Sequence, residues 1–186
     1  MPLTWGGKIR TTEDMYRRFE KGADKITINT EAYKSPSLIE KGAKAFGSQA
    51  IVISIDAKLA DGKKQWKVAI NCGREITCTD VVEWSRRVEN MGAGEILLQS
   101  IDRDGSGTGY DLELINAVAT AVKIPVIACS GVGSFEHYAE AIKAGASAAA
   151  AANIWHFKEL TDRHGKKAMA RAGINVRMSF INRRQL

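Results

Sequence analysis

Three aspartates and two glycine-rich turns are the residues whose types and spacing could do chemistry. Asp56 closes the apolar run Ala50-Ile-Val-Ile-Ser-Ile55. A carboxylate at the C-terminal end of a parallel strand points to where ligand-binding loops gather, and it can take or give a proton there. Asp102 and Asp104 lie in the loop Ser100-Ile-Asp-Arg-Asp-Gly-Ser-Gly107, just past another apolar run. Either could serve as acid to the base Asp56, or could simply close an Asx turn. The turns are Gly6-Gly7-Lys8, paired with the strand end Asn29-Thr30, and Ser130-Gly131 with Gly133, paired with Ala152-Asn153. Glycine lets backbone N–H groups approach an anion, and a helix N-terminus behind it adds a favourable dipole. Each turn therefore reads as a phosphate cradle, and the two together suit a ligand with a phosphate at each end.

Other chemistries find less support. Cys72, Cys78 and Cys129 form no CxxC pattern, and His137, His156 and His164 have no metal-ligand spacing, so no metal site and a reducing, cytoplasmic compartment are expected. No GxGxxG or Walker pattern occurs, which disfavours a nucleotide cofactor, and no cofactor is expected. His137 reads as a surface residue, and Trp155 and Phe157 read as packing. The formal net charge of +6 is accounted for by residues 158–186, which carry eight Lys or Arg against Glu159 and Asp162. That segment lacks interleaved aromatics and any recognition motif, so it is read as a basic terminal helix and tail and not as a nucleic-acid interface. No secretory leader and no run able to span a bilayer is evident, so no membrane partner is expected.

These groups must be held by a regular frame. Strands are predicted at Leu3 to Trp5, Lys25 to Asn29, Ala50 to Asp56, Glu95 to Gln99, Pro125 to Cys129 and Ala148 to Ala152. Amphipathic helices are predicted at Thr12 to Lys21, Ser37 to Phe46, Asp80 to Met91, Asp111 to Val122 and Ser134 to Ala144. Thr12, Asp80 and Ser134 are the expected caps, and Gly22, Gly92 and Gly145 the expected helix stops. Strand and helix alternating about six times, with apolar runs buried on both faces, indicate an α/β fold with a parallel sheet. Asp61-Gly62 between alternating residues indicates a β-hairpin inserted near 59–77. The segment from Ile9 to Gly22 aligns without gaps on Val132 to Gly145, a separation of 123 residues. Doubling such a repeat gives about 250 residues, the size of a (βα)8 barrel. The chain then supplies about six of eight units as one domain, with the first two expected N-terminal to Met1.

The run Gly92-Ala-Gly-Glu-Ile-Leu-Leu-Gln-Ser-Ile-Asp-Arg-Asp-Gly105, followed by Gly109-Tyr-Asp111, resembles the cyclase subunit family of imidazole glycerol phosphate synthase, called HisF. The resemblance extends through residues 22–30, 46–50, 55–58 and 131–137. It implies a (βα)8 barrel that uses ammonia from a glutaminase partner. With a phosphoribulosyl formimino carboxamide nucleotide, it forms imidazole glycerol phosphate and an aminoimidazole carboxamide ribonucleotide. By that resemblance Asp56 is the second of two catalytic aspartates, the first lying on a strand outside this chain, which implies impaired catalysis. Asp104 is an active-site carboxylate, and Asn29, Thr30, Gly105, Gly131, Ala152 and Asn153 contact phosphates beside the turn of Gly7 and Lys8. Lys25 and Glu95 belong to a charged ring at the ammonia entrance, and Asp24 and Gln49 lie where the glutaminase docks.

Three positions depart from the family pattern: Lys8 where a glycine is usual, Gln99 where Thr is usual, and Cys129 where Ser is usual. Two alternatives accompany the cyclase expectation. One is a partner of an amidotransferase in surface-polysaccharide sugar amidination; the other is a non-catalytic fragment that binds phosphates or self-associates. An incomplete barrel leaves open strand edges, from which a homo-oligomer joined near Leu3 to Trp5 or Ala148 to Ala152 is expected.

Overall fold

A computed structural model describes residues 2–60, 65–157 and 162–177. Six strands form its parallel sheet: β1 (Thr4–Gly6), β2 (Lys25–Ile28), β3 (Ile51–Leu59), β6 (Glu95–Ser100), β7 (Val126–Cys129) and β8 (Ala148–Ala149), hydrogen-bonded in that order. The helices are α1 (Thr12–Glu20), α2 (Thr30–Lys34), α3 (Ser37–Phe46), α4 (Val81–Asn90), α5 (Leu112–Ala119), α6 (Glu136–Lys143), α7 (Ile154–Phe157) and α8 (Asp162–Arg171). This is a barrel wall of six βα units, as expected. None of the helices among the described residues is long and apolar enough to cross a membrane.

Burial distinguishes the two faces. Ile26 and Ile28, Ile96 and Leu98, and Val126 and Ala128 are buried, whereas the intervening Lys25, Thr27, Glu95, Leu97, Gln99, Ile127 and Cys129 are only partly so. The first set joins helix residues such as Met15, Ile39, Trp84 and Leu114 in the core. The second set faces the other way, as the two-residue period of a strand requires. Among the described strands of the parallel sheet, β3 alone is buried on both sides, over Ile51 to Ile55, so the expectation of apolar runs buried on both faces is corrected for the others. Small residues set the spacing between sheet and helices: a Cβ on Gly42 would lie 3.1 Å from the Ile51 side chain and 3.0 Å from Met15 Sδ.

The insertion is larger than a hairpin. β3 runs on to Leu59, β4 (Trp66–Ile70) returns antiparallel to it, and β5 (Glu75–Asp80) pairs with β4. The turn expected at Asp61-Gly62 lies outside the described residues. The three-stranded meander is tied down by Trp66 Nε1, which donates to Asp111 Oδ2 at 3.0 Å, and by the Tyr33 and Thr79 hydroxyls, 2.7 Å apart.

Of the three expected caps, one is shifted by a residue, one is found and one is absent. Thr11, not Thr12, caps α1, in a reciprocal box in which its Oγ1 accepts from Asp14 N–H and Asp14 accepts from Thr11 N–H. Asp80 caps α4 as expected, accepting from Val82 and Glu83 N–H. Ser134 does not cap α6. Instead His137 Nδ1 accepts from Gly133 and Ser134 N–H at 3.2 and 3.4 Å, which ties it to the turn before α6, so His137 is not a free surface residue. The three glycine stops are as read, with φ of 93°, 96° and 112° at Gly22, Gly92 and Gly145.

The basic C-terminal segment contributes α8, which packs on α6. Gly165 makes this possible, since a Cβ there would lie 2.6 Å from the Tyr138 ring. Arg163 and Arg171 remain exposed. Residues 158–161 and 178–186 lie outside the described residues, as do the side chains of His156 and Phe157. Trp155 packs on Phe135, with ring centroids 5.8 Å apart.

Candidate active site

Parallel strands send their C-terminal ends to one rim, and two clefts open there. The larger has a volume of about 740 Å³ and is lined by Gly7, Lys8, Asn29, Thr30, Ser54, Asp56 and Gln99, with Arg10, Lys34, Asn71 and Cys72 at its sides. The smaller, about 310 Å³, is lined by Asp104, Gly105, Cys129, Ser130, Gly131, Ala152 and Asn153. The structure thus brings the expected first cradle together with Asp56, and the expected second cradle together with Asp104.

Local conformation explains the glycine turns. In the first, Gly7 has φ 91° and Lys8 follows at φ 55°, a left-handed conformation that glycine adopts without strain and lysine does not. In the second, Gly109 N–H donates to Gly131 O at 2.8 Å, and a Cβ on Gly133 would sit 2.0 Å from Gly107 O. Two loops can meet backbone to backbone here only because side chains are missing. Ser130, at φ 82°, precedes them in the same left-handed region.

Asp56 sits on β3 beside Gln99 of β6 in register. Gln99 Nε2 donates to Asp56 Oδ1 at 2.8 Å and to Ser54 Oγ at 3.1 Å. Burial pushes the Asp56 carboxyl above its ordinary value; hydrogen bonds from Gln99 and Asn29 oppose this, and the Asp104 charge adds to it. A carboxyl raised in this direction holds a proton more readily than an ordinary aspartate, which suits a group that must accept one. Cys129 is likewise pushed up, chiefly by burial, and remains a thiol.

Other aspartates have structural work. Asp102 accepts from Leu59 N–H at 2.8 Å and from Lys58 Nζ, tying the long arm of β3 to the loop after β6. Burial alone would raise it, but those bonds outweigh burial and hold it below its ordinary value. Thr30 is also engaged: its Oγ1 accepts from Asn71 N–H at 2.9 Å, joining the first cradle to the meander. Arg10, Lys34 and Asn71 were not foreseen at the site. The cations gave no motif, and Asn71 arrives only through the second turn of the meander.

At the opposite rim, Lys25 and Glu95 begin β2 and β6 and form an ion pair across the sheet. Asp24 Oδ2 accepts from Leu3 N–H at 2.7 Å, and Gln49 lies exposed in a 3-10 turn, Ser48–Ala50. These four residues share the face away from the clefts.

An open (βα)-barrel wall with carboxylates and glycine turns at the C-terminal strand ends defines a barrel protein of the small-molecule enzyme type. The chain belongs to the family described as "Histidine biosynthesis protein", whose sequence model matches residues 1–161. It is 46% identical over 177 residues to "Imidazole glycerol phosphate synthase subunit HisF" of Gluconacetobacter diazotrophicus, covering 95% of this chain and 68% of that protein. It is 49% identical over 178 residues to the protein of the same name from Wolinella succinogenes, covering 96% of this chain and 70% of that one.

Proposed function

We propose that this chain performs the cyclase chemistry of its HisF relatives in histidine biosynthesis. Ammonia from a glutaminase partner attacks a phosphoribulosyl formimino carboxamide nucleotide, yielding imidazole glycerol phosphate and an aminoimidazole carboxamide ribonucleotide. The observation that carries the proposal is the pair of clefts on one rim, each combining a glycine turn with a carboxylate. A substrate with two phosphates would anchor one on Gly7, Lys8, Asn29 and Thr30 and the other on Gly105, Gly131, Ala152 and Asn153. Asp56 then acts as the proton acceptor between them, and Asp104 as a second carboxylate. On the other rim, Lys25, Glu95, Asp24 and Gln49 are proposed to meet the glutaminase. Free Cys72, Cys78 and Cys129 suit a cytoplasmic setting.

The proposal is tested by amide exchange on the full chain with and without a bis-phosphate ligand. Slowed exchange at both residues 7–8 and residues 131–133 is expected. Protection at neither turn would overturn the phosphate assignment. An NMR titration with the glutaminase subunit should move signals of Lys25 and Glu95 and leave those of Asp56 in place.

A further inference from the structure

Gln99 occupies the position directly across from Asp56 on the neighbouring strand, and both side chains line the larger cleft. Its amide orientation follows from chemistry. An ionised carboxylate only accepts hydrogen bonds, so the NH2 group must face Asp56, and the same nitrogen reaches Ser54 Oγ at 3.1 Å. Both amide hydrogens are thereby spent within the wall of the cleft. The Asn29 side chain at the end of β2 works in the same direction as Gln99, lowering the Asp56 carboxyl, while the Asp104 charge raises it through space. Asp56 is thus held by the Gln99 amide of β6, and among the described residues it forms no ion pair.

We propose that Gln99 is a positioning residue for Asp56: it fixes Oδ1 and keeps the carboxyl an oriented acceptor at the floor of the cleft. This rests on the assignment of Asp56 as the proton acceptor of the reaction. A neutral donor suits that task. A cation in its place would hold the carboxylate so firmly ionised that it would be a poor base, whereas an apolar side chain would leave only Asn29 to oppose burial and shift the carboxyl further toward its protonated form. Ser54 completes the device by holding the amide plane.

The test is the ¹³C-carboxyl titration of Asp56 in the ligand-free full chain, which reads the clamp without turnover. In Gln99→Met, close in volume but lacking the donor, the midpoint should rise by about one pH unit, and Ser54→Ala should raise it by less. If Gln99→Met does not fold, Gln99→Glu serves. Two facing carboxylates must then share a proton, so Asp56 should titrate in two steps with one shifted strongly upward. A midpoint unmoved in the folded variant, or a single unshifted step in Gln99→Glu, would overturn the role. Because bis-phosphate binding is read separately by amide exchange, a midpoint shift without ligand protection would keep the clamp and discard the functional assignment. The reverse pattern would discard the clamp alone.

Discussion

Lys8 shows what a single residue can trade. A Cβ in the left-handed region costs about 1–2 kcal/mol relative to glycine, and Lys8 sits there at φ 55° on the lip of the larger cleft. The ammonium it brings offsets that cost if an anion binds the turn. Lys8→Gly is expected to stabilise the protein by about 1 kcal/mol, read from the denaturant midpoint, and to weaken phosphate binding several-fold. Unchanged affinity would leave the lysine without a role in the cradle. For Asp56 the sign is opposite to that of a salt-bridged carboxylate. Its folded-state pKa lies above the unfolded value, so the native state binds the proton more readily and stability falls as pH rises between those values. Above the folded value the burial penalty is fully present. Asp56→Asn should therefore match or exceed the parent in stability at about pH 7, and the difference should vanish at about pH 3. A marked loss at neutral pH would make the charge itself structural.

Elements hold these residues through a few polar ties. Asp111 both caps α5, accepting from Leu114 N–H at 3.0 Å, and receives the Trp66 indole, so one carboxylate fixes the helix start and the meander's first return strand. Asp111→Ala should cost about 2 kcal/mol, from a lost cap and an unpaired indole N–H on the buried Trp66. Equilibrium unfolding by tryptophan fluorescence checks it, and a loss below about 0.5 kcal/mol would show that the meander is held by other contacts. Much of this level was legible in the sequence. The helix at Ser37–Phe46 has the bounds its apolar spacing predicted, and Asp80 announces α4. The rest was hidden for local reasons. Thr11 and Thr12 are equivalent as types, and only the partner Asp14 decides between them. His137 reaches backward to amides that precede it, where a serine was the obvious candidate. The clefts themselves were foreseen from Asp56, Asp104 and the glycine turns. Asn71 and Lys34 were not, because they come to the site through the folding of the meander and through α2, whose five residues are too short for a periodic signal.

For the whole molecule, the consequential feature is that the sheet does not close among the described residues. β1 pairs only with β2, and β8 only with β7. Leu97 and Ile127 on the inner face are partly exposed, as is Leu3 beside β1. Unpaired backbone groups along a strand edge are templates for another strand, and uncovered apolar side chains add a driving force. Against this, both edge strands are short, at three and two residues, which limits how many hydrogen bonds an incoming strand can make. We therefore predict self-association of moderate strength, with a closed symmetric dimer the simplest product. Sedimentation equilibrium across the micromolar range should show mass rising with concentration. The rise should persist at high salt, because edge pairing and apolar burial are insensitive to screening, whereas contacts through the basic C-terminal segment would weaken. A compact monomer at all concentrations would refute the prediction, and association abolished by salt would move it from the sheet edges to the basic segment.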